Sequence, residues 1–246
     1  MPSVNGKTRI AAIADIHVKE TDKGNWTGLF REASQQADIL LICGDLTNTG
    51  DEGEAQVLKD ELKACTIPVI AVLGNHDYEK GRQKTIRQLI QSEQVHILDG
   101  EAIAIGDVGF AGVKGFGGGF DSHMLDMFGE AAMKAFVQEA VDEALRLDRA
   151  LARLDQQHEN LKKIAVLHYS PLQDTVKGEP EQIYPFLGSS RLAEPLQRRK
   201  VRVAFHGHAH AGTLEGTLNG GVRVINVAKP VLVKAGYDKP FYYLEL

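Results

Sequence analysis

The sequence predicts an α/β fold in which two mixed β-sheets stack face to face between flanking helices, a four-layer αββα sandwich. Three observations predict it. Short continuous runs of Ile, Leu, Val and Ala alternate with helix-spaced segments through the first third of the chain, strand-like runs return after one long helical segment, and no internal repeat divides the 246 residues. Runs buried on both faces and joined by helical crossovers call for parallel pairing with helices covering the sheet. A chain of this length is expected to form one domain, residues 1–246.

Residues 9–14 and 39–43 are apolar runs with polar or glycine borders, and 69–73 repeats the pattern. Between them, 25–36 and 52–64 carry helical spacing and helix-forming side chains, so the first third reads βαβαβ. A helix over 82–91 leads to short strands at 95–98, 102–105 and 108–113, the last two joined by the two-residue turn Gly106-Asp107. The segment Gly115-Phe116-Gly117-Gly118-Gly119-Phe120 and a polar stretch follow, then a long helix over 129–161 rich in Ala, Glu, Leu and Arg. Its apolar positions Phe136, Val137, Val141, Leu145, Leu151 and Leu154 are expected in the core, with a cap or a subunit face as the alternatives. Strands return at 163–167 and 201–205, a meander of 212–218 and 221–227 surrounds Asn219-Gly220, and the chain closes on an apolar strand at 241–246.

Composition excludes more than it assigns. The net charge of 28 − 33 = −5 disfavours a long polyanion such as nucleic acid. The densest basic run, Arg198-Arg199-Lys200 with Arg202, is expected at a solvated helix end. Cys43 and Cys65 form neither a CxxC motif nor a disulfide framework and are expected to be reduced. The first seven residues hold no apolar targeting core, and no apolar run is long enough to span a membrane, so the expected address is the cytoplasm.

Five motifs of metal-binding residue types each follow a strand-like run: Asp15-x-His17, Gly44-Asp45, Gly74-Asn75-His76-Asp77, His168, and Gly207-His208-Ala209-His210. An α/β sheet gathers its chemistry where strands end. Taken singly, Asp15 and Asn75 read as turn residues and His168 as a hydrogen-bonded strand-end imidazole. Taken together, these carboxylates and imidazoles would be costly to desolvate at one sheet edge, and bound cations are the simplest compensation. In extended strand ends, Asp15 would share a side with His17, and His208 with His210, while Asn75 and His76 would point apart and divide their roles.

The ordered set DIH, GDLTN, GNHD, an isolated His and GHAH, spanning Asp15 to His210, resembles the calcineurin-like metallophosphoesterase superfamily and, within it, is loosely similar to the small bacterial phosphodiesterases. The resemblance implies an αββα sandwich and two metal ions. It assigns Asp15, His17, Asp45 and His210 to one metal and Asp45, Asn75, His168 and His208 to the other, with Asp45 as the bridge. All are O or N donors, so Mn, Fe or Zn ions are expected and a thiolate site is not. Two cations about 3.5–4 Å apart bind a phosphoryl group and generate a hydroxide nucleophile between them. His76 then corresponds to the imidazole that contacts phosphate and protonates the leaving oxygen.

Two departures bear on function. Many members of the superfamily carry an Asp three residues after the bridging Asp, to orient and charge the catalytic His; here that position is Asn48. An amide orients without full charge, so Asn48→Asp is expected to raise the His76 pKa. The block Gly44-Asp45-Leu46-Thr47-Asn48-Thr49-Gly50 also lacks the Arg-Gly of serine/threonine protein phosphatases, which points away from phosphoproteins. The expected function is hydrolysis of a small phosphodiester, such as a cyclic or related nucleotide, with a phosphomonoesterase or nucleotide pyrophosphatase as the alternative. A non-catalytic scaffold of the same fold is the alternative of another class, and a homo-oligomer remains open. Gly115 to Phe120 could cradle phosphate, close Phe116 and Phe120 over a base, or be a plain loop. Lys19, Tyr78 and His123 are further candidates for substrate contact, His206 is expected to pack or support the site, and His96 and His158 have no assigned role.

Overall fold

The computed structural model describes residues 7–157 and 160–246. Residues 1–6, on which the reading of the amino terminus largely rested, and His158 lie outside the described residues. The first sheet runs in the order β11-β1-β2-β3-β4. Its strands β1 (Arg9–Ile13), β2 (Ile39–Cys43), β3 (Val69–Val72) and β4 (Val95–Ile97) are parallel, and β11 (Tyr242–Glu245) lies antiparallel to β1. The second sheet is built from β5 (Glu101–Ile105), β6 (Val108–Gly112), β7 (Lys162–Val166), β8 (Val203–His206), β9 (Glu215–Leu218) and β10 (Val222–Asn226), in the order β5-β6-β7-β8-β10-β9. Its four central strands are parallel and its two edges antiparallel, so both sheets are mixed as predicted.

Side-chain alternation along β1 shows why the strand runs read as continuous. Ile10, Ala12 and Ala14 face the second sheet and pack with Ile39, Leu41, Phe110, Val166 and Phe205. Ala11 and Ile13 face the other way, packing with Phe30, Leu40, Ile42 and Leu58. That outer layer is formed by α1 (Thr27–Gln36), α2 (Glu52–Leu62) and α3 (Gln83–Ile90). With both faces buried, alternation gives way to an unbroken apolar run. Asp51 and Glu54 close a capping box at the start of α2, and Glu54 also accepts from Thr49 N at 2.7 Å, which ties the loop after β2 to the helix.

On the far side, α4 (Ala131–Gln157) and α6 (Ala193–Arg198) cover the second sheet, with the short α5 (Tyr184–Leu187) in the segment that leads to α6. The buried stripe of α4 is Val137, Ala140, Glu143, Leu147, Ala150, Leu151 and Leu154. Leu145, expected in the core, is 44% exposed, because it stands off a stripe that advances by threes and fours through Ala140 and Glu143. Nor is the basic run at the end of α6 merely solvated. Arg199 makes a two-pronged contact with Asp148 of α4 at 2.8 and 3.1 Å, and Arg198 reaches the same carboxylate at 2.9 Å.

The carboxyl ends of the parallel strands of both sheets meet at one edge of the sandwich. Ala14 N donates to Val227 O at 2.8 Å and Gly207 N to His168 O at 3.1 Å, joining the loops that leave them. Cys43 and Cys65 are buried and unpaired, as expected. Among the described residues no helix is long and apolar enough to cross a membrane.

Candidate metal centre

Asp15 and His17 follow β1, Asp45 follows β2, Asn75 and His76 follow β3, His168 follows β7, and His208 and His210 follow β8. Extended strand ends do not carry them. Asp15 (φ 58°), His17 (φ 43°), Asp45 (φ 48°) and His208 (φ 67°) are all left-handed, which turns the chain sharply between neighbouring donors. The expectation that His208 and His210 share a side fails for that reason. His210 joins Asp15 and His17, whereas His208 joins Asp45 and His168. A third group, His17, Asp45 and His76, lies between them, and within each group the potential ligand atoms fall within 4.8 Å of one another.

Asp45, 1% exposed, stands where the groups meet. Its Oδ2 lies 3.6 Å from His17 Nε2 and 4.0 Å from His76 Nε2. Its Oδ1 lies 3.4 Å from His168 Nε2 and accepts from His76 N at 2.9 Å. Backbone carbonyls set the ring orientations. His168 Nδ1 lies 3.0 Å from Cys43 O and His208 Nε2 3.1 Å from Phe186 O, so neutral rings donate there and present their other nitrogens to the site. The free lone pair of His168 Nε2 then faces Asn75 Oδ1 at 2.8 Å and Asp45 Oδ1 at 3.4 Å. Three acceptors converging in a buried place need a cation, and the donor set of nitrogens and oxygens suits a divalent first-row metal.

Electrostatics agree with that demand. Burial pushes the Asp15 carboxyl up, but the hydrogen bond from His210 at 3.0 Å and the nearby imidazoles bring it below the usual range. Burial, with His168 nearby, depresses His208 to about 3, and burial also lowers His17. These rings are held neutral, the form that binds metal.

Several supporting residues had no role in the sequence reading. The carboxylate of Asp77, wholly buried, accepts from Leu46 N (3.1 Å), Thr47 N (2.8 Å), Thr47 Oγ1 (2.6 Å) and Gly74 N (2.8 Å). It thereby clamps the loops that carry Asp45 and Asn75. Burial and the Asp45 charge raise its pKa to about 6. Asn226, also buried, donates to Ala209 O at 2.8 Å and accepts from Ala228 N at 3.0 Å, fixing the turn between His208 and His210. The only signal for Asp77 was its place in the GNHD motif; Asn226, a lone polar residue ending a strand, gave none. The motif glycines are steric requirements: a Cβ on Gly74 would fall on the Asp45 carboxylate, and one on Gly207 on that of Asp15.

Other expectations are redirected. Asn48 does meet His76, but through its main chain: His76 Nδ1 lies 2.8 Å from the Asn48 carbonyl oxygen. Every side chain brings that carbonyl, so the reading of the Asn48 amide as the orienting group is corrected. Gly115 to Phe120 is neither a free anion cradle nor a lid. Gly115 N binds Glu143 at 2.6 Å, Gly118 N binds Pro185 O at 2.6 Å, Gly119 N binds Gly188 O at 2.9 Å, and Phe120 is buried. Tyr78 turns toward the buried Lys114 ammonium, 5.4 Å away. Lys19 lines a cleft beside Trp26, and His123 lines another beside Phe120. His206 is buried against Thr175 Oγ1 at 2.8 Å, with burial lowering its pKa to about 4.

The profile of the family described as calcineurin-like phosphoesterase matches residues 8–212, which include every residue of the three groups. The chain belongs to that family. This phosphoesterase is 24% identical over 220 residues to a Synechococcus sp. protein named a probable cyclic nucleotide phosphodiesterase, covering 84% of this chain and 75% of the relative. In fold it is similar to a phosphopantetheinyl hydrolase from Mycobacterium tuberculosis (TM-score 0.68, 15% identity, 96% of this chain and 95% of that one). It is also similar to a protein from Thermus thermophilus (TM-score 0.58, 16% identity, 91% and 90% covered). As a calcineurin-like phosphoesterase the chain is a hydrolase of phosphoesters, and its clustered His and Asp groups suit the divalent metals that the family uses.

Proposed function

We propose that this phosphoesterase is a dinuclear metal enzyme that hydrolyses small phosphodiesters, cyclic nucleotides among them. The observation that carries the reading is Asp45, whose two oxygens face imidazoles of different groups, as a carboxylate shared by two cations would. Asp15, His17, Asp45 and His210 would hold one ion, and Asp45, Asn75, His168 and His208 the other. Mn, Fe or Zn ions match this set. Bound there, two such ions supply Lewis-acid polarisation of the phosphoryl group and an activated water for in-line attack.

The chain's own residues do the rest. His76 gives Nδ1–H to the Asn48 carbonyl and directs Nε2 toward the Asp45 side, the orientation needed to deliver a proton to a leaving alkoxide. Asp77 and Asn226 hold the ligand loops in place before substrate arrives. Among the described residues no Lys or Arg forms an ion pair with Asp15 or Asp45, whose charged partners are imidazoles alone. A singly charged diester suits such a site better than a monoester. The similarity to a probable cyclic nucleotide phosphodiesterase supports the same choice.

The test is hydrolysis of bis-p-nitrophenyl phosphate by metal-stripped protein, with and without added Mn²⁺, and with Asp45→Asn as control. Metal-dependent turnover that Asp45→Asn abolishes is the expected result. Tight metal binding with turnover only of p-nitrophenyl phosphate would make the protein a monoesterase. The absence of both metal binding and turnover would make it a scaffold.

A further inference from the structure

Tyr169, the residue after His168, stands directly against the metal centre. Its ring centroid lies 4.4 Å from that of His208 and 5.5 Å from that of His168, two members of the group that also holds Asp45. We propose that the Tyr169 hydroxyl is a substrate-binding group, donating a hydrogen bond to a phosphoryl oxygen of the bound diester; the proposal rests on the phosphodiesterase reading above.

The hydroxyl is the part of this side chain that packing leaves free. Tyr169 is 8% exposed, and a phenol sealed in a core normally finds a partner. Among the described residues the fully sealed side-chain polar atoms without a partner belong to Trp26, Gln36, Gln83 and Arg191. The Tyr169 oxygen, which has no hydrogen-bond partner among those residues either, therefore opens to solvent. After burial, the strongest influence on that hydroxyl is the Asp45 charge, ahead of Glu143 and Glu139, so its oxygen lies toward the carboxylate where the groups meet.

The ring is held in place before substrate arrives. His168 N and Tyr169 N both donate to Lys114 O at 3.0 Å, so the imidazole and the phenol hang from one carbonyl. Phe116 packs on the Tyr169 ring at 5.7 Å, and the Lys114 ammonium stands 5.2 Å from its centre. That buried ammonium is itself fixed, donating to Gly115 O at 2.6 Å, while Gly115 N donates to Glu143 at 2.6 Å. On the other side of Asp45, His76 stands beside the His17 ring at 4.5 Å. A phosphoryl group spanning the ligand groups thus meets an imidazole at one end and a phenol at the other. A phenol donates without adding charge, which suits a singly charged diester, and a donor fixed in advance needs no reorganisation as charge develops on the phosphoryl oxygens.

The test is Tyr169→Phe, which removes the hydroxyl and keeps the ring. In the Mn²⁺-loaded protein it is expected to lower kcat/KM for bis-p-nitrophenyl phosphate about 10- to 100-fold, the worth of one hydrogen bond to a charged group. Calorimetric binding of inorganic phosphate to the same protein should weaken about tenfold. Metal content by elemental analysis and the urea midpoint should not change, and Tyr184→Phe, which strips a hydroxyl outside the ligand groups, should match the wild type throughout. A parallel loss of metal and turnover in Tyr169→Phe would make the phenol a prop for His208 and overturn the proposal. Wild-type turnover and phosphate binding in Tyr169→Phe would overturn it as well, with the phosphodiesterase reading left standing. If the wild type does not hydrolyse the diester, phosphate binding that Tyr169→Phe weakens keeps the hydroxyl as a phosphoryl ligand and sinks the reaction, whereas binding that is absent or unaltered sinks both.

Discussion

Asp77 receives four hydrogen bonds from two loops and is wholly buried. Its loss should therefore be felt first as stability. Asp77→Ala leaves four buried donors without an acceptor and is expected to cost about 3 kcal/mol, read as a lower urea midpoint, with a parallel fall in metal content as Asp45 loosens. His76 should behave in the opposite way. His76→Ala is expected to lower kcat by about two to four orders of magnitude, the usual worth of a general acid, with metal content preserved in elemental analysis. Because His76 leans on the Asn48 carbonyl rather than on its amide, Asn48→Ala should lower kcat only several-fold, and Asn48→Asp should shift the pH profile less than a direct carboxylate contact would. A shift of more than about one pH unit would return the side chain to the catalytic contact.

At the scale of elements, α4 shows what a pattern of residue types conveys and what it hides. Leu147 is fully buried and Leu145 is 44% exposed. Leu147→Ala is expected to cost about 3 kcal/mol and Leu145→Ser less than about 0.5 kcal/mol, both measurable by chemical denaturation. The tie from α4 to α6 has a pH signature. The Arg199 guanidinium, with burial opposing and Arg198 assisting, lowers the Asp148 pKa to about 2. A carboxyl depressed on folding stabilises above its unfolded value near 3.8 and loses that contribution as pH falls through about 2. Asp148→Asn should thus cost about 1–2 kcal/mol at pH 7, after allowance for partial exposure, and almost nothing near pH 2.

The strands were legible because double-sided burial writes itself as unbroken apolar runs, and residues 39–43 matched β2 end to end. The donor residues were legible because their chemistry is distinctive in any backbone. Glu143 was not, since a buried carboxylate that caps Gly115 N looks in sequence like any surface glutamate of a helix. Asn226 was hidden likewise, and left-handed turns leave no hydrophobic period from which to read them.

Across the whole molecule, the centre is assembled from loops of two sheets, yet hydrogen bonds within the protein already hold those loops. Chelation should therefore leave a cooperatively folded protein with unchanged far-UV circular dichroism and a Tm lower by several degrees, an amount that grows with metal concentration by mass action. Collapse of the far-UV signal on chelation would mean instead that the ions organise the loops, as in small metal-dependent domains. The left-handed backbone at Asp15, His17, Asp45 and His208 narrows what can ever stand there. Apart from glycine, the residues that tolerate that bend best are Asn, Asp and His, and all three bind ions through oxygen or nitrogen. The bend and the coordination select from the same short alphabet, so exchange among those three side chains keeps the backbone at these four positions even where, as in Asp45→Asn, it removes the charge the ions need, whereas glutamate, cysteine or a branched residue would strain it.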